Sequence, residues 1–136
     1  MLKQILIGSI VIVGSIGFQA EVFGMLARRR EPFLRWIRSK LHRFAGTAFL
    51  MVVMLLVLFT MTVAVWVWAF VLMSTGAVPG LEPAVYFALV CFTTLGFGDI
   101  TLPTEWRLLS ALIGANGFLM FGWSTAFMVE LISKSR

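Results

Sequence analysis

Residues 44–74 carry no charged side chain, and that run constrains the chain more than any other feature. As a single α-helix at 1.5 Å per residue it would reach about 46 Å, well beyond the roughly 30 Å hydrocarbon core of a bilayer. A helix this apolar has no water-facing stripe. It therefore belongs in lipid, tilted or protruding. Trp66 and Trp68, near its far end, suit the outer interface or packing against neighbouring helices. Residues 75–80, Thr-Gly-Ala-Val-Pro-Gly, then end it with turn-forming residues. Two further runs are long enough to span: residues 2–26, apolar apart from Lys3, Gln4, Ser9, Ser15, Gln19 and Glu21, and residues 106–133, followed by Lys134 and Arg136. Composition agrees, with 60% hydrophobic and 12% charged residues where soluble domains hold about 45–50% and about 25%. The expectation is an all-α integral membrane protein with three crossings.

The net charge of +5 is concentrated rather than spread. Arg28, Arg29, Arg30, Arg35, Arg38, Lys40 and Arg43 supply most of the eleven basic residues, with Glu31 the one acid among them. Between two apolar runs such a cluster reads as a cytoplasmic loop, not as a nucleic-acid site. Three crossings then put the N-terminus outside and the C-terminus in the cytoplasm, in the plasma (inner) membrane. A cleaved signal peptide is the rival reading of the first run, but cleavage would strand the basic cluster outside. Within residues 28–43, Phe33, Leu34, Ile37 and Leu41 recur at helical spacing opposite Arg35, Arg38, Ser39 and His42. Pro32 suits a first helical turn and Trp36 an interface. This predicts an amphipathic interfacial helix lying along the cytoplasmic surface, with Arg35, Arg38, Lys40 and Arg43 attracting anionic lipid. Arg35 and Arg38 lie outside a spanning run, unlike the arginines of a voltage sensor. Glu21 calls for an interfacial arginine partner, or serves ion-linked gating.

The run 84–92 is too short to cross, and Pro83 suits its first turn. It predicts a re-entrant helix leading into Thr93-Thr94-Leu95-Gly96-Phe97-Gly98-Asp99. A dehydrated cation inside a membrane needs oxygens in place of its water, and a ring of backbone carbonyls provides them without a full charge. Turning successive carbonyls toward one axis requires alternation into the left-handed region, which Gly96 and Gly98 allow at little steric cost. Irregular backbone at membrane depth is tolerated where it lines a water-filled path. The negative end of the preceding helix dipole would favour a cation there. One loop per chain means that a closed ring needs several copies.

With those residues in view, the segment 93–99 resembles the selectivity filter of the potassium channel pore family, and the order of outer helix, pore helix, filter and inner helix is similar to that family's two-helix pore module. The resemblance covers about residues 44–133. It divides the chain into an N-terminal transmembrane helix at 1–27, a basic interfacial helix at 28–43 and a pore module at 44–136, with outer helix 44–74, pore helix 83–93, filter 94–99 and inner helix 106–133. It implies a homotetrameric pore in which Thr94, Leu95, Gly96 and Phe97 hold potassium through carbonyl oxygens, Thr94 also through its hydroxyl. Thr93 and Gly98 support the filter, and Asp99 braces its outer end with Tyr86 as donor. Leu95 and Phe97 depart from commoner residues, Phe97 lacking a tyrosine hydroxyl, and Val90 stands where some bacterial members carry glutamate. Gly117 and Gly122 are candidates for the gating hinge that the family often places here, or for close helix packing together with Gly114. Asn116 reads as a helix-to-helix hydrogen-bonding group, and Glu130 as an inner-mouth charge or a salt-bridge partner.

Cys91 and His42 are the single cysteine and histidine, so a cysteine metal cluster is excluded, and no constellation of nucleophile, base and orienting group is present. No cofactor is expected besides the permeant potassium. The expected function is passive, potassium-selective conduction. The alternatives are a weakly selective cation pore and a nonconducting subunit that regulates an unidentified partner.

Overall fold

The computed structural model describes residues 1–40 and 44–133, which form four helices: α1 (Leu2–Lys40), α2 (Ala45–Ser74), α3 (Leu81–Phe92) and α4 (Leu108–Ser133). Three of them, α1, α2 and α4, are long and apolar enough to span a membrane. At 12 residues, α3 extends only about 18 Å.

The first helix corrects the expected division at residue 28. Residues 28–40 form no separate interfacial element: α1 continues for 39 residues, with Pro32 inside it. A proline within a helix removes one backbone donor and crowds the preceding turn. What holds the helix together is burial on both sides of that point. Leu26 before Pro32 and Ile37 after it pack into one cluster with Ala45, Phe49 and Val53 of α2 and Leu131 of α4. The apolar side that was expected to face a bilayer surface faces protein instead. Arg35 is exposed, Arg38 and Lys40 continue the helical backbone, and Arg43 lies outside the described residues, as do Lys134 and Arg136.

Helix α1 runs antiparallel to α2 and parallel to α4. Phe18 meets Phe59 with ring centroids 6.2 Å apart, and Phe33 meets Phe49 at 6.3 Å. Against α4 the pairing climbs in step: Gln4 at Leu108, Gly8 at Leu112, Gln19 at Ser124, and Phe23 stacked on Phe127 at 4.2 Å and 6°. Trp68 is fully buried in the main core with Leu72, Leu109, Ile113 and Met120, while Trp66, two residues earlier and on another face, is exposed. Of the two tryptophans expected at the interface, Trp68 is thus a core residue.

Between α2 and α3 the chain turns through Gly76 (φ +70°) and Gly80 (φ +97°). Helix α3 then descends beside α4 until Phe92 reaches Gly117. A Cβ on Gly117 would lie 2.8 Å from the Phe92 carbonyl carbon and closer still to its oxygen. Only glycine permits this approach. Since Gly117 is nine positions into α4, the end of α3 lies about 14 Å along that helix. Residues 93–107 carry the chain back to the start of α4.

Candidate functional site

The return path begins at the C-terminal end of α3, where helical carbonyls lack intrahelical donors. Thr93 Oγ1 donates to Leu89 O at 2.8 Å and to Val90 O at 3.3 Å. The next three amides also turn back: Thr94 N donates to Cys91 O at 2.9 Å, and Leu95 N and Gly96 N donate to Val90 O at 3.1 and 3.4 Å. Residues 94–96 are thus held by their N–H groups. Among the described residues, no backbone N–H donates to the carbonyls of Thr94, Leu95, Gly96 or Phe97.

The backbone alternates along this segment. Thr94 (φ +60°), Gly96 (φ +58°) and Gly98 (φ +77°) occupy the left-handed region, and Leu95 and Phe97 between them do not. Glycine enters that region freely, whereas a residue with a Cβ pays roughly 1–2 kcal/mol. Thr94 is the one non-glycine residue described with positive φ, so its strain is sustained by the bonds back to α3. Backbone outliers of this kind are found where function over-determines the conformation. Residues 94–98 are all exposed, with Leu95 at 62% and Phe97 at 65%. Neither apolar side chain finds cover within its own chain.

At the far end, Tyr86 Oη donates to Asp99 Oδ2 at 2.7 Å. That hydrogen bond, followed by desolvation and then by the charges of Asp99 and Glu82, raises the Tyr86 pKa above its ordinary value of 10.0. Tyr86 lies one turn into α3, so the bond ties the end of the segment to the helix that starts it. Between them lies a cavity of about 360 Å³, bordered by Val90, Gly96, Asp99, Arg107 and Ser110. The structure therefore gathers Tyr86, Thr93, Thr94, Leu95, Gly96, Phe97, Gly98 and Asp99 into one unit. Gly114 faces its base, where a Cβ would meet Cys91 O at 3.3 Å. Gly122 lies beyond it with open space around its Cβ position, and Arg35 is remote, on the basic end of α1.

Two positioning residues, Gln4 and Gln19, were not legible beforehand, whereas Asn116 and the arginine partner of Glu21 were singled out in advance. Gln4 is buried and bridges α1 to the start of α4: its Oε1 accepts from Leu108 N at 3.0 Å and its Nε2 donates to Glu105 O. Gln19 Nε2 donates to Ser124 Oγ at 2.8 Å in the interior. Both are polar residues within an apolar run, a signal that a partner exists without saying where. Asn116, expected to hydrogen-bond from helix to helix, is instead fully buried with neither side-chain polar atom paired among the described residues. Glu21 meets Arg28 at 3.7 Å with both side chains well exposed, a pair worth little.

A family model described as an ion channel matches residues 52–134. The match takes in most of α2, all of α3, the 93–107 segment and α4, and leaves α1 outside. No curated protein and no solved structure matches the chain.

Proposed function

Because the chain belongs to this ion channel family, we propose that it is the pore-forming subunit of a homotetrameric channel passing potassium ahead of sodium. The observation that carries this reading is the alternation of left-handed backbone at Thr94, Gly96 and Gly98, with carbonyls 94–97 free of backbone donors. Four such segments around an axis make stacked rings of oxygens, each able to replace part of an ion's hydration shell. Closed rotational symmetry is the ordinary arrangement for identical subunits. In this reading α3 is a re-entrant pore helix whose carbonyl end points at the ion path, and burying Leu95 and Phe97 falls to neighbouring subunits. The basic end of α1 faces the cytoplasm and the filter opens outside.

The deciding measurement is the reversal potential of the purified protein in bilayers under opposed potassium and sodium gradients. A strong shift toward the potassium equilibrium potential supports the proposal. Equal permeability would leave a weakly selective cation pore, a reading favoured by Tyr86 to Asp99 being, among the described residues, the one side-chain hydrogen bond at the outer end of the segment. Silence in several lipid mixtures would move the weight to a nonconducting regulatory subunit.

A further inference from the structure

The seam between α1 and α2 holds two grooves that differ in charge and in size. The groove nearer the N-terminus of α1 runs along Ile10, Gly14, Phe18, Val63 and Val67, and its hydroxyls, Ser15 and Thr60, bond to carbonyls of their own helices. It contains no charge. Beyond the Phe18–Phe59 ring contact, the second groove is larger, about 810 Å³. It is walled by Val22, Leu26, Phe33 and Trp36 of α1 and by Val52 and Leu56 of α2, and it includes Arg29.

Three features define what fits the second groove. From Val22 to Trp36 it follows α1 for about 21 Å, longer than the roughly 15 Å depth of one leaflet's hydrocarbon. Its volume falls within the range of sites that enclose small molecules, about 300–1,000 Å³. Its cation is free of carboxylates: Glu21 lies 3.7 Å from Arg28, and among the described residues no carboxylate pairs with Arg29. A guanidinium presents several donors that match a phosphate diester. Arg28, Arg30 and Arg35 add positive potential around it, and the exposed Trp36 indole closes the basic end, as aromatic rings do at headgroup level.

We infer that this groove is a binding site for one anionic phospholipid, its phosphate on Arg29 and an acyl chain along Val22, Leu26 and Leu56. The inference rests on residence in a membrane, not on ion selectivity. It differs from general attraction of a basic segment to a charged surface in placing one lipid at one arginine on one seam.

The test uses the full chain in vesicles of phosphatidylcholine and phosphatidylglycerol, with bromine on the acyl chains of one lipid or the other. The difference between the parent protein and Trp36→Phe isolates quenching of Trp36, and helix content and assembly are matched across variants first. Brominated phosphatidylglycerol should quench Trp36 at a lower mole fraction than brominated phosphatidylcholine. Arg29→Gln should reduce that preference about fivefold, the share of one basic side chain near an anionic leaflet. Arg35→Gln, outside the groove, should change it less than twofold, and Leu56→Phe should weaken quenching by both lipids. Equal quenching by the two lipids, equal effects of Arg29→Gln and Arg35→Gln, or no quenching because another subunit covers the groove would each overturn the site. No current is needed for the readout, so its failure leaves the selectivity proposal standing, and a silent or unselective pore leaves the groove standing.

Discussion

At Gly117 an added methyl would run into the backbone of Phe92, whereas at Gly96, on the irregular segment that follows Phe92, nothing lies within 4 Å of the same position. Both positions are glycine for opposite reasons. Gly117 is a matter of space: α4 and α3 touch backbone to backbone, in the manner of small-residue contacts between membrane helices. Gly96 is a matter of backbone angle, since at φ +58° a Cβ would clash with its own main chain whatever surrounds it. The helix contact is complete within one chain. The segment around Gly96 is not: Leu95 and Phe97 stay exposed and the carbonyls of residues 94–97 take no backbone donor among the described residues, a surface that the proposed assembly would cover.

The sharpest way to break this comparison is Gly117→Ala. With the obstruction being backbone, α3 has to move as a whole, and the cost should reach or exceed about 3 kcal/mol, the upper end for overpacking. Size-exclusion profiles and thermal melting should show loss of the folded protein. Gly122→Ala is the control, because open space surrounds that position and alanine is the better helix former by up to about 1 kcal/mol. A loss of stability there would place a neighbouring subunit against α4.

Gly96→Ala should leave melting of the helices close to the parent, as its strain of roughly 1–2 kcal/mol per chain falls on a segment outside them. Selective current should vanish. If the variant fails to fold instead, the segment contributes to the scaffold and the two regions are not separable. Thr94→Gly sharpens the point, because it relieves the left-handed strain while removing the hydroxyl. It should melt no lower than the parent and yet bind potassium less well, measured as the ion's protection against heating.

The two glycines show how much of the site could be read in advance. Gly96 and Gly98 announced left-handed backbone because glycine is the residue that tolerates it, and the short run 84–92 announced a helix unable to cross. The strained φ of Thr94 was hidden, since threonine ordinarily avoids that region, and only the amides bonded to Val90 O and Cys91 O hold it there. Likewise, Pro32 reads as a first-turn residue, and nothing local reveals that Leu26 and Ile37 share a cluster with Leu131, about a hundred positions away. Local chemistry specified the glycine-bearing segment and the short helix before it; what was illegible depended on partners distant in sequence.

Gln19→Leu probes the scaffold at smaller scale. It leaves Ser124 bonded to Met120 O, and hydrogen bonds between membrane helices average about 0.6 kcal/mol with a maximum near 1.7. A double-mutant cycle with Ser124→Ala should return a coupling in that range. The mildest change is Tyr86→Phe, which removes the donor to Asp99. In the folded protein the phenol holds its proton above the ordinary value of 10.0, so the tie is fully present below that pH and is lost as pH rises through the raised value. Selectivity should therefore hold to pH 10 and decline above it in the parent, and Tyr86→Phe should lack the step.

The parallel pairing of α1 with α4 also bears on motion. Gln4 holds the start of α4, Ser124 and Phe127 are held further along, and Leu131 shares a cluster with Leu26. Sliding one helix by a single turn, about 5.4 Å, would break all of these contacts together, so the two helices travel as one strut. Beyond Leu26, α1 continues for another fourteen residues through Lys40, roughly 21 Å, and along this stretch Phe33 meets Phe49 of α2 and Ile37 shares a buried cluster with Leu131 of α4. The basic end of α1 is therefore carried with the strut, and a sideways force applied near Arg35 is borne by α2 and α4 together.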